Sequence, residues 1–136
     1  MYVRVVRFTD VDRAWSREVD KYIENKDEEV PPAERFNAGQ KYFYWVMAIG
    51  TIFLLLSGLV MWFPEFVPWR LRVFRYAAVL IHEVAALITI GAFIIHVYMG
   101  LFLVPGGFRG MVRGYVSPQW ARVHHRLWFN RMTTRE

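Results

Sequence analysis

Cysteine is missing from this chain altogether. Without a thiol no disulfide forms, and no thiolate is available to hold an iron–sulfur cluster or to attach a c-type haem. Any redox group must therefore rest on histidine. Charge is the second absence, confined to two stretches. Tyr42 to Phe63 is 22 residues with no charge at all, and Tyr76 to Val104 is 29 residues interrupted only by His82, Glu83 and His96. Each exceeds the ~20 residues needed to cross the ~30 Å hydrocarbon core of a bilayer. Neither run lies at the extreme N-terminus or ends in a small-residue cleavage site, so no signal peptide is expected. With 136 residues, 55% of them hydrophobic and 18% aromatic, the chain amounts to one small domain whose apolar residues sit in two blocks.

Within the second block, His82 and His96 are the most informative residues. Ionisable side chains are expensive in hydrocarbon and point to a cofactor, cavity or partner. Their spacing of fourteen residues is about 3.9 helical turns, which puts both imidazoles on nearly one face and about 21 Å apart along the axis. A helix of this kind offers one axial ligand toward each side of the membrane. Two stacked haems need that arrangement, each taking its second imidazole from another helix. The bland reading of either histidine alone is an interhelical hydrogen-bonding group.

The net charge of +5 matters less than where it sits. Residues 1–41 carry eight Lys and Arg, the tail after Val104 carries six Arg, and the connection Pro64 to Arg75 carries three. With two spans both termini lie on one side, and fourteen basic residues against three put that side in the cytoplasm. The nine acids of the N-terminal stretch count little toward orientation. Nucleic-acid binding is a poor account of this basic balance, because the tail arginines serve as topology determinants and contacts to lipid headgroups.

Three regions follow: a cytoplasmic amphipathic and loop segment (1–41), a two-helix transmembrane haem-binding region (42–104) and a cytoplasmic basic tail (105–136). Met1 to Phe8 reads as a short strand or the frayed end of a helix. Asp10 to Lys26, with Val11, Trp15, Val19 and Tyr22 on one stripe, predicts an amphipathic helix with Asp10 as N-cap. Asn25 to Pro32 is a charged loop, and Pro64 to Arg72 an interfacial turn. Pro105-Gly106-Gly107 ends the second span. His124 and His125 are expected in solvent or against a partner subunit. Gly50, Ser57 and Gly58 suit close helix packing, or room for a porphyrin edge. Glu83 is placed to snorkel, or to pair with Arg72 or Arg75.

Three blocks carry a resemblance: RFNAGQKYFYW (Arg35 to Trp45), VFRYAAVLIHEVAALITIGAFIIHVYMG (Val73 to Gly100) and GFRGMVRGYVSPQWARVHHRLW (Gly107 to Trp128). Together they resemble the C-terminal half of the cytochrome b (gamma) subunit of respiratory, membrane-bound formate dehydrogenases. The resemblance implies an all-α membrane protein, two transmembrane helices equivalent to half of a four-helix cytochrome b bundle, in a bacterial inner membrane. It implies up to two b haems, with His82 ligating the one nearer the outer face and His96 the one nearer the cytoplasm. It implies a quinone headgroup among Asn37, Gly39, Gln40 and His96, and electrons supplied by an iron–sulfur beta subunit beside a molybdopterin alpha subunit. Read without the resemblance, Asn37 to Gln40 is a turn capping the first span.

The chain departs from that family in lacking its first two helices, which supply the other two axial histidines. Met1 falls about where the second helix would end. The expectation is a fragment, one half of a split gene, or a subunit that pairs with a second copy so that each histidine meets its twin. Two further functional classes stay open: the cytochrome b subunit of a related hydrogenase or thiosulfate reductase, and a haem-free membrane anchor.

Overall fold

A computed structural model describes residues 5–26 and 29–134. These are helical with connecting turns, and no strand occurs among the described residues. Residues 5–7 form a turn and bends ahead of an irregular Phe8, and the rest of the Met1 to Phe8 expectation lies outside the described residues, as do Asp27 and Glu28 of the charged loop.

The expected N-terminal helix is two short ones, α1 (Asp10–Arg17) and α2 (Val19–Ile23), hinged at Glu18 with φ −119° and ψ 24°. The N-cap is Thr9, one residue before the expected Asp10. Asp12, at the third helical position, decides this: its carboxylate accepts from the Thr9 N–H at 2.7 Å and from the Thr9 hydroxyl at 2.9 Å. A carboxylate reaching back from that position occupies donors the helix itself leaves unpaired. Trp15 and Tyr22 are buried as the stripe predicts.

The first span is α3 (Ala38–Trp62), 25 residues or about 37 Å. The second is α4 (Arg72–Tyr98), 27 residues, continued by a wider π turn over Met99–Leu103. Between them run two 3-10 turns, Pro64–Phe66 and Trp69–Leu71. Arg75 donates to the carbonyls of Pro64 and Val67 and so ties this connection to the first turn of α4. Arg72 stacks on Trp69 at 5.1 Å. Neither arginine pairs with Glu83, which is exposed and makes no ion pair among the described residues.

After the π turn, Gly106 takes φ +84°, a left-handed conformation that costs glycine little and other residues much. A Cβ there would also lie 3.1 Å from the Trp120 ring. Three short helices follow: α5 (Gly107–Arg113), α6 (Pro118–His124) and α7 (Arg126–Thr133). Ser117 caps α6 by accepting from the Trp120 N–H at 3.2 Å.

The described residues fall into two compact units, one within Met1–Tyr42 and His96–Glu136, the other Phe43–Ile95. The first has a small core of Trp15, Tyr22, Val30, Ala33, Ala38 and Val104. The second leaves its large apolar side chains uncovered: Leu87 is 73% exposed, Ile94 61% and Leu55 60%. An apolar surface of this extent is at home against lipid or other helices and not against water.

Candidate functional site

His82 lies nearly three turns into α4 and His96 in its last turn, so the one helix carries both. Each is half-buried. The Ser57 hydroxyl of α3 is 3.0 Å from His82 Nδ1, and Ser57 is itself buried. Beside it, a Cβ on Gly58 would sit 3.5 Å from His82 Cε1, so the imidazole edge lies against the Ser57-Gly58 step. Nε2 has no hydrogen-bond partner among the described residues. A half-buried imidazole with one nitrogen engaged and the other open suits a haem iron, which needs one nitrogen from each axial side chain. No group of three or more metal-ligating side chains occurs among the described residues.

Lower on the same pair of helices, Gly50 meets Thr89. A Cβ on Gly50 would lie 2.3 Å from Thr89 Cγ2, and the Thr89 hydroxyl turns back to the Ala85 carbonyl at 2.8 Å. Here α3 and α4 touch as closely as only a glycine permits. Thr89 is midway in sequence between the two histidines, seven residues from each.

At the N-terminal end of α3, Asn37 and Gln40 form a reciprocal cap. The Gln40 N–H donates to Asn37 Oδ1 at 2.9 Å, and the Asn37 N–H donates to Gln40 Oε1 at 3.1 Å. Both side-chain carbonyls are thereby used, in the logic of a capping box. The two amide groups fare differently: Asn37 is 3% exposed and faces the Tyr22 phenol, whereas Gln40 is exposed. Gly39 is exposed too, next to Trp15, whose ring a Cβ would approach to 3.5 Å. Burial raises the Tyr22 phenol above its ordinary value, and Asn37 opposes this in part.

Two features here had no clear signal in the sequence. Lys41 and Asp12 make a buried ion pair at 2.7 Å, with side chains 3% and 4% exposed, and Lys41 Nζ also donates to the Arg7 carbonyl at 3.1 Å. A pairing across 29 residues leaves no local pattern. The histidines of the tail are likewise buried, not solvated: His124 lies against Trp120 at 4.5 Å and Tyr22 at 5.6 Å. His125 Nδ1 donates to the Glu34 carbonyl at 2.8 Å, and burial lowers its pKa from 6.5 to about 4. The Leu127 N–H donates to the Ala33 carbonyl at 3.1 Å, and Arg131 pairs with Glu34. The two histidines, expected in solvent or against a partner subunit, are instead packed within this chain onto the segment that precedes α3, because the Trp and His rings have an apolar surface to cover.

Two lipid-length helices, one of them bearing imidazoles at two depths, define a helical membrane protein of the cytochrome b type. The chain belongs to the prokaryotic cytochrome b561 family, whose model matches residues 1–114; membership implies haem b. It is similar to the nitrate-inducible formate dehydrogenase cytochrome b556(Fdn) subunit of Escherichia coli K12, 34% identical over 140 residues that cover 100% of this chain and 64% of the relative. Against the formate dehydrogenase cytochrome b556(fdo) subunit of the same strain it is 37% identical over 119 residues, 87% of this chain and 54% of that protein. The formate dehydrogenase cytochrome b556 subunit of Haemophilus influenzae is 30% identical over 118 residues, 87% of this chain and 49% of the relative. The chain thus spans about half to two thirds of the length of these relatives.

Proposed function

We propose that this chain is the haem-ligating, quinone-facing part of the membrane cytochrome b subunit of a formate dehydrogenase. The observation that carries the reading is His82 and His96 on one continuous spanning helix, fourteen residues apart. Up to two b haems, held by these imidazoles and by imidazoles from further helices, would carry single electrons through the bilayer to a quinone. An iron–sulfur beta subunit and a molybdopterin alpha subunit are the electron-supplying partners this reading requires, and similarity to formate dehydrogenase subunits supports formate as the donor. The family resemblance supports a bacterial inner membrane, and the charge distribution favours both termini in the cytoplasm, so that His82 faces the outer side and His96 the cytoplasmic side.

The residues divide the work. His82 and His96 bind, each through one nitrogen. Gln40 is the group of the α3 cap suited to a quinone carbonyl, because its carbonyl is spent on the cap while its amide N–H groups are exposed, and an amide stays neutral as protons come and go. Asn37, buried and bonded to Gln40, positions it. Gly39 keeps the approach open beside Trp15.

The test is a spectrum. Four imidazoles are needed for two bis-histidine haems, so the chain co-expressed with a polypeptide supplying two more histidine-bearing helices should give a low-spin b-type spectrum. His82→Ala and His96→Ala should each remove a different haem, because ~21 Å of helical rise separates them. A complex with no haem would favour the simple anchor. Within the haem-loaded complex, Gln40→Ala should slow quinone reduction by roughly 10-fold, the loss of one hydrogen bond of ~1.4 kcal/mol, with both haems still reducible by the upstream subunit. Unchanged quinone kinetics would leave Gln40 as a helix cap only.

A further inference from the structure

We propose that Ser57 is a positioning residue for His82: it holds the imidazole in the tautomer with its proton on Nδ1, which leaves Nε2 as the nitrogen able to ligate a metal. The Ser57 hydroxyl lies 2.5 Å from the Phe53 carbonyl oxygen and 3.4 Å from that of Leu54 on its own helix, and 3.0 Å from His82 Nδ1 on the next. A hydroxyl has one proton to give. Two oxygens at 2.5 Å with no proton between them would oppose lone pair to lone pair, so the Ser57 proton belongs to the Phe53 bond. Toward His82 the hydroxyl then has only a lone pair, and the proton in that contact is the imidazole's own. A neutral imidazole protonated on Nδ1 keeps its lone pair on Nε2. Ser57 is 5% exposed, so water does not compete for the contact. Gly58 leaves the ring edge lying against α3, which limits rotation of the plane.

A hydrogen bond to the remote nitrogen of a ligating histidine fixes ring orientation and strengthens the ligand as a donor. For haem, ligand donor strength and its hydrogen bonding are levers on reduction potential. Ser57 therefore biases the haem at His82 toward the oxidised state; this consequence rests on the haem reading above, whereas the tautomer does not.

Two measurements separate the claims. Nitrogen-15 NMR of the full, haem-free chain in lipid bilayers, labelled at histidine, should show His82 protonated on Nδ1. Ser57→Ala should shift the population several-fold toward the Nε2 tautomer, and Ser57→Thr, which keeps the hydroxyl and its carbonyl partner, should restore it. A wild-type His82 protonated on Nε2, or a tautomer ratio indifferent to Ser57→Ala, overturns the proposal. In the haem-loaded complex, Ser57→Ala should raise the potential of the haem that His82→Ala removes and weaken its retention about 10–100-fold, again with rescue by Ser57→Thr. An unchanged potential with that haem in place overturns the tuning role. A spectrum untouched by His82→Ala overturns the haem reading instead, and the NMR result alone then decides on Ser57.

Discussion

His125 shows how one buried ring can make a membrane protein's polar segment sensitive to acid. Its Nδ1 proton is committed to the Glu34 carbonyl, and burial disfavours the second proton, which lowers the pKa to about 4. The unfolded chain takes up that proton near 6.5 and the folded chain only near 4, so the unfolded state binds more protons in between. Stability from this group is complete above about pH 6.5 and is lost as the pH falls toward 4, a loss of roughly 3 kcal/mol at the limit. Between pH 7 and 4 the Trp120 fluorescence, from a ring 5.4 Å from His125, should change in a transition that His125→Gln removes. A response that survives this substitution would assign the acid sensitivity to another group. Lys41 and Asp12 present the opposite case, two buried charges that satisfy one another, where removing either alone strands its partner.

At the scale of the element, the pairing of α3 with α4 depends on one small residue more than on the long apolar ones. Leu55, Leu87 and Ile94 point away from the interface, whereas Gly50 admits the Thr89 methyl to a distance no side chain would tolerate. Lipid offers no hydrophobic drive for two helices to associate, so close packing supplies much of it. Gly50→Ala should therefore push the helices apart and destabilise the pair by about 1–3 kcal/mol, read as a lower thermal midpoint in detergent. Thr89→Ser removes the offending methyl and keeps the hydroxyl that bonds Ala85, so it should rescue Gly50→Ala. Absence of rescue would place the strain elsewhere.

For the whole molecule, orientation is the property that gives the two histidines their sense. Fourteen basic residues lie in the two terminal segments and three in the connection between the spans, so on the proposed topology the termini are cytoplasmic. A reporter fused after Glu136 should be active only in its cytoplasmic form, and one inserted near Glu65 only in its external form. The reverse pattern would exchange the sides assigned to His82 and His96. On this proposal the six arginines of the tail would serve the sorting, while its buried His124 and His125 rings follow the burial rule of soluble domains.

The sequence by itself determined the two spans, because a lipid-crossing run with no charge, or with Glu83 alone, has no alternative to a helix once its backbone must be satisfied internally. It also determined that His82 and His96 share a helix and nearly a face, since helical period and rise are constants. The bilayer-length runs, the glycine break at Gly106 and the Trp15 and Tyr22 stripe were legible for the same reason: each is a local pattern. What lay beyond it depended on residues distant in the chain. Asp12 reads as one acid among nine, yet it meets Lys41 in a buried pair. His124 and His125 read as polar tail residues, yet they are covered by Trp120, Tyr22 and the Glu34 carbonyl. Ser57 reads as a small residue for packing, and only the approach of α4 turns its lone pair toward His82. Charge counts and periodicity carry information along one dimension. The partner that satisfies a buried polar atom is chosen in three, where the cost of leaving that atom unpaired decides which contacts form.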